Sequence, residues 1–161
     1  MFHPEYGLIL NLFLMASNSW GLQTPVALIG TEAVPVALTT SYTGQSATFT
    51  ATAGVRQITF YIQYVPTNAS NSIQWKIEGS GLQPVAGTIP NFYQDTSESI
   101  TTGVDTVSAK SYTYAPAATA AVYIKNTVDI NDMNIKISVK ETVGGGTAGT
   151  VSVYALSSAN Q

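Results

Sequence analysis

Ile73-Gln74-Trp75-Lys76-Ile77-Glu78 alternates apolar and polar side chains without a break. In an extended chain successive side chains point to opposite sides, so Ile73, Trp75 and Ile77 share one face and Gln74, Lys76 and Glu78 the other. The apolar face belongs in a core. Asn134-Ile135-Lys136-Ile137-Ser138-Val139-Lys140 repeats the pattern, with Ile135, Ile137 and Val139 inward. A slip of one residue would turn all three into water, so the register of this strand is well fixed.

Working outward, Gln57 to Val65 places Ile58, Phe60, Ile62 and Tyr64 on one face, while Tyr61 and Val65 leave the other only partly polar. That strand is expected to be central or to face an interface. Residues 120–127 and 150–156 read as further strands. The glycine-rich stretch Gly144 to Gly149 joins 134–142 to the last strand and predicts a hairpin. Weaker strands are expected over 34–40, 47–52, 91–95 and 105–114. Turn residues recur at the 8 to 12 residue spacing of all-β domains, and no helix of ordinary length is visible. The expectation is an all-β protein: a two-sheet antiparallel β-sandwich, jelly-roll-like, of eight or nine short strands.

Pro25 opens the apolar segment Val26-Ala27-Leu28-Ile29 and Pro35 lies inside Val34-Pro35-Val36-Ala37-Leu38. Proline removes a ladder donor, which predicts edge strands or an extended arm. An apolar arm gains by lying on a neighbour, so Val26, Leu28, Ile29, Val34, Val36 and Leu38 are the expected assembly residues. Phe60, Ile62, Ile73, Trp75, Ile77, Ile135, Ile137 and Val139 are the expected core. The division is an N-terminal leader or arm over 1–33 and one sandwich domain over 34–161. Within the leader, residues 7–16 form an apolar run too short to span a bilayer, and no Lys or Arg precedes it as a secretory signal requires. A docking arm and a true start at Met15 are the other accounts of that segment.

Composition narrows function. Only 9% of the 161 residues are charged, against roughly 25% in ordinary soluble proteins, so the surface is built from Ser, Thr, Asn, Gln and Gly. Such a surface repels its copies weakly and suits a protein packed against partners. A net charge of −3 with one arginine and five thinly spread lysines offers no basic stripe for nucleic acid. Cysteine is absent, which removes disulfides, thiolate chemistry and cysteine-held metals. His3 is the one histidine, so a Ser-His-Asp triad or a multi-histidine metal site would need another chain.

The remaining motifs have plain explanations. Asp129-Ile130-Asn131-Asp132-Met133-Asn134 has oxygen ligands at calcium-loop spacings, but lacks the sixth-position glycine and has Lys140 where a bidentate glutamate is needed. It reads as an Asx-rich turn. Asp95, Glu98 and Asp105 read as solvated loop acids rather than a glycosidase pair. Gly144 to Gly149 lacks the Lys-Ser/Thr pair and helix of a phosphate loop. Tyr61, Tyr64, Trp75, Phe92, Tyr93, Tyr112 and Tyr114 include candidates for a sugar-stacking platform, with Trp75 assigned to the core. No enzyme, cofactor or metal is expected.

Ile58-Thr59-Phe60-Tyr61-Ile62-Gln63-Tyr64, then Ser72 to Glu78, Asn91-Phe92-Tyr93-Gln94, and Asn134 to Thr142 before a glycine-rich turn resemble small β-sandwich structural proteins of tailed-phage virions. Capsid decoration proteins and head or tail fibre modules belong to that group. The resemblance covers about 34–156 and lies in texture and strand order. It implies a non-enzymatic protein of the virion, favouring the capsid exterior and made in the host cytoplasm. Its partners would be its own copies, as a trimer rather than a dimer, and the major capsid or another virion protein, with no direct nucleic-acid or membrane contact. The alternatives are a carbohydrate-binding or adhesive module on a fibre or cell surface, and a secreted filament subunit assembling by strand donation.

Overall fold

The computed structural model describes residues 25–42, 45–51, 55–81, 91–101, 104–129, 132, 134–144 and 146–159. The apolar run 7–16 and Met15 lie outside the described residues. Twelve strands follow in order: β1 (Val26–Ile29), β2 (Val36–Ala37), β3 (Gln45–Thr50), β4 (Val55–Val65), β5 (Ser72–Ser80), β6 (Tyr93–Gln94), β7 (Thr96–Thr101), β8 (Val104–Ala109), β9 (Tyr112–Tyr114), β10 (Val122–Asp129), β11 (Asn134–Thr142) and β12 (Thr150–Ala159). There is no helix among the described residues.

Two antiparallel sheets pack face to face as a β-sandwich. Sheet one runs β1-β12-β4-β10, with β2 also on β12. Sheet two runs β3-β11-β5-β6, with β9 beside β6 along the same flank of β5. Period-two patterning produces the packing: Ile58, Phe60, Ile62 and Tyr64 of β4 and Val151, Val153 and Ala155 of β12 point inward from sheet one. Ile73, Trp75, Ile135, Ile137 and Val139 meet them from sheet two. Trp75 ties the layers together, since its indole Nε1 donates to Asn126 Oδ1 on β10 at 2.9 Å and its ring stacks on Tyr112, centroids 5.4 Å apart.

The central place expected for the 57–65 strand is where β4 lies, between β12 and β10. Three differences from the sequence expectation are instructive. Residues 96–101 and 104–109 form a separate antiparallel ribbon, β7 with β8, where a loop and one weak strand were expected. The last two strands are not a hairpin: β11 belongs to sheet two and β12 to sheet one, so the glycine-rich segment carries the chain across the sandwich. Glycine is needed there for close approach, because a Cβ at Gly149 would overlap the carbonyl of Val65.

The third difference concerns the arm. Val26, Ala27 and Ile29 pair with Ala155, Tyr154 and Val153 of β12, with a bulge at Leu28. Gly30 then adopts φ +57°, a left-handed conformation that glycine takes without penalty. Reciprocal backbone bonds between Thr31 and Val34 close a turn, and Val36 and Ala37 resume pairing with β12 at Val151 and Thr150. Residues 26–37 are thus one interrupted edge strand of the sandwich, and the expected boundary at 33/34 falls inside it. The prolines sit where an edge tolerates them, before β1 and before β2.

Candidate interaction surfaces

The six expected assembly residues divide by this edge pairing. Ile29 and Leu38 are buried in the chain's own core, and Leu28 and Val36 pack partly buried against it. Val26 and Val34 alone stand out, 51% and 70% exposed. Burial of Ile29 opposite Val153 and of Leu38, whose N–H donates to Gly149 at 2.9 Å, leaves no continuous apolar stripe for a neighbour. Of the eight expected core residues, Phe60, Ile62, Ile73, Trp75, Ile135, Ile137 and Val139 are buried, whereas Ile77 is half-buried. Ile77 lines a small hollow with Val128, Ile135, Gly79, Asp95, Asp129 and Asp132, where the sandwich opens to solvent.

At the opposite end both crossovers, β4 to β5 and β11 to β12, are laced by a buried polar network. Glu141 is 1% exposed because the inward series Ile135, Ile137, Val139 continues through it. Its Oε1 accepts from the Tyr64 hydroxyl and from Asn71 Nδ2 at 3.2 Å, and its Oε2 accepts from the Gly149 N–H at 2.8 Å. Asn71 reaches on to the Thr147 carbonyl at 3.3 Å and accepts from the Gly144 N–H at 3.0 Å. Burial pushes the Tyr64 hydroxyl far above its ordinary range, and the hydrogen bond to Glu141 and that carboxylate's charge push the same way. Every one of these bonds is internal and closes a crossover, so the network holds the fold rather than a ligand.

The two outer faces differ in chemistry. On sheet two, Lys76, Lys136 and Lys140 project with one carboxylate among them, Glu78, bonded to Lys76 at 2.9 Å and 3.9 Å from Lys136. Aromatic rings cover these cations: Tyr42 under Lys76 and Lys140, at 5.4 and 4.6 Å from the ring centroid, and Phe92 under Lys136 at 5.4 Å. Burial raises the Tyr42 hydroxyl pKa. On sheet one, Tyr61 of β4 lies opposite Tyr154 of β12 and Lys125 of β10, while Tyr123 lies opposite Gln63. The turn 31–34 folds onto this face, with Glu32 N–H donating to the Tyr154 hydroxyl at 2.6 Å and Ser152 Oγ to the Thr31 carbonyl at 2.7 Å. The result is a groove of about 210 Å³ lined by Glu32, Tyr61, Gln63, Tyr123, Lys125 and Tyr154.

Tyr64, Trp75 and Tyr112 of the expected platform belong to or pack against the core, Tyr93 and Tyr114 are exposed elsewhere on sheet two, and Tyr61 alone faces the groove. Tyr123 and Tyr154 join it. No family model, curated protein or solved structure matches this chain. Among the described residues no three His, Cys, Asp or Glu side chains are grouped to hold a metal. Asp129 accepts from Gln57 Nε2 at 2.8 Å. Glu98 and Asp105 lie on the β7–β8 ribbon, and Asp95 just before it. No described helix is long and apolar enough to cross a membrane.

Proposed function

We propose that this chain is a non-enzymatic structural protein of a virus particle, seated on the outside of a bacteriophage capsid, where it decorates or cements the shell through subunit contacts. The observation that carries the proposal is the strand order. Counting β1 with β2 as one broken strand and β6 with β9 as one flank, the main strands run first-eighth-third-sixth in one sheet and second-seventh-fourth-fifth in the other. This order supports reading the sandwich as a jelly roll, an architecture shared by viral shell subunits and lectin domains. Fold analogy sets the class, and composition chooses within it, because a surface with so little charge suits permanent contact. The partners are other copies, as a trimer, and the major capsid protein. Interfaces of roughly 1,000 Å² repeated over many copies sum to a large mechanical effect.

A strand-donating filament subunit would need an arm free of its own sheet, whereas β1 and β2 are paired along β12. The test is immunogold microscopy of native particles with an antibody against this chain, with light scattering on the purified protein. Label on capsid faces and a trimeric mass support the proposal. Label on tails alone or on cell-surface filaments overturns it.

A further inference from the structure

We infer that the groove on the outer face of sheet one binds a neutral, linear oligosaccharide by stacking sugar rings on Tyr61, Tyr123 and Tyr154. The rings come from three adjacent strands, β10, β4 and β12, spaced about 4.8 Å apart. Tyr61 and Tyr154 are directly opposed, and Tyr123 is diagonal to Tyr61 across the β4–β10 pair. Tyr61 and Tyr123 are 37% and 72% exposed, and Tyr154 is half-buried between β1 and β4. A second hollow of about 380 Å³ shares Glu32, Tyr61 and Tyr154 and extends past Pro25, so the surface is an elongated trough rather than a single pit. A trough lined by successive rings fits a chain of sugars better than a compact ligand, for which pockets of about 300–1,000 Å³ enclose most of the surface.

The polar groups are those a sugar needs. Gln63, Lys125 and Glu32 are among the lining residues, with Gln63 Nε2 donating to the Tyr123 hydroxyl at 3.4 Å, and their side chains supply donors and acceptors for sugar hydroxyls. One positive and one negative group leave it without net charge, which favours an uncharged saccharide over a sialylated or phosphorylated one. The bond from Glu32 N–H to the Tyr154 hydroxyl holds one wall in place before any ligand arrives. A second copy of the chain fits less well. At their exposure the three rings offer at most about 300 Å², so most of the roughly 800 Å² per partner of a stable interface would have to come from polar groups already bonded to one another. Around them the face is Thr59 bonded to Thr127, with Gln57 bonded to Asp129.

This inference is independent of the shell proposal, because glycan binding is measured on the isolated protein and capsid placement on particles. The test titrates neutral linear tetrasaccharides of glucose, galactose, mannose and N-acetylglucosamine, with a sialylated control, into full-length protein observed by nitrogen-15 NMR. At least one neutral tetrasaccharide is expected to bind with Kd near 1 mM or tighter, moving the amides of Tyr61, Gln63, Tyr123, Lys125 and Tyr154. Tyr61→Ala should weaken it about tenfold in protein whose amide spectrum shows the fold intact, and Tyr61→Phe should retain it. Absence of shifts at these amides up to about 10 mM saccharide overturns the inference, as does preference for the sialylated control or unchanged affinity in Tyr61→Ala. Self-association that Tyr123→Ala abolishes would assign the face to a second copy instead.

Discussion

The two ends of the sandwich are closed by different means. Where the chain crosses between sheets at Tyr64, Asn71, Glu141 and Gly149, each buried polar group bonds another, and Ile73 beside them is fully buried. At the far end, Ile77 is half-buried, Asp95, Asp129 and Asp132 line an open hollow, and the buried Ser80 hydroxyl has no partner among the described residues. The contrast teaches that one β-strand, β5, runs from a locked end to a loose one. Local stability should follow its length rather than its average hydrophobicity.

The largest effect expected is from Ile73→Ala, which empties a fully enclosed site and should cost about 2–5 kcal/mol in urea unfolding. Next is Glu141→Gln. The new amide turns one acceptor into a donor facing N–H and O–H groups, with an expected loss of about 2–3 kcal/mol. A loss within about 0.5 kcal/mol, as for an ordinary surface change, would dissolve the contrast between the ends.

Alkali tests the locked end separately. The Tyr64 hydroxyl is raised in the folded protein, chiefly by burial, above the value near 10 expected of the unfolded chain. The unfolded state therefore loses its proton first. This contribution to stability is complete below about pH 10 and is lost as pH rises beyond it. Tyr64→Phe should lower stability by about 1 kcal/mol at neutral pH while flattening the fall in Tm above pH 10. An unaltered alkaline slope would show that Tyr64 is not the group responsible. The smallest effect should come from Ile77→Ala, about 1 kcal/mol because its side chain already meets water. A cost equal to that of Ile73→Ala would mean that the open end is covered in solution.

How far the sequence reveals this depends on what period two encodes. Alternation assigns a face, so Ile135, Ile137 and Val139 were legible as inward, and the same series read two residues further reaches Glu141. It does not assign a neighbour. Nothing in Gly144 to Gly149 distinguishes a hairpin from a crossover, because both need small residues in a tight path; the choice is made by β3 and β5 occupying both flanks of β11. The prolines left edge strands and an extended arm both open, and the burial of Ile29 and Leu38 that decides for the edge depends on partners more than a hundred residues away on β12 and the segment before it. The trough was half visible. Tyr61 stood out on a strand whose second face is only partly polar, whereas Tyr123 and Tyr154 join it only through the pairing of β10 and β12 with β4.

The position of β12 also bears on how the protein comes into being. It lies between β4 on one side and β1 with β2 on the other, so the first described strands find their partner only when the last is made. On the ribosome sheet one cannot close until β12 has emerged, and the interrupted edge strand waits unpaired until then. Folding should therefore be slow and all-or-none, as expected when pairing is dominated by distant segments. A stalled nascent chain ending before Thr150 should be digested by protease along its length, while one extended past Ala159 by a linker that clears the exit tunnel should resist.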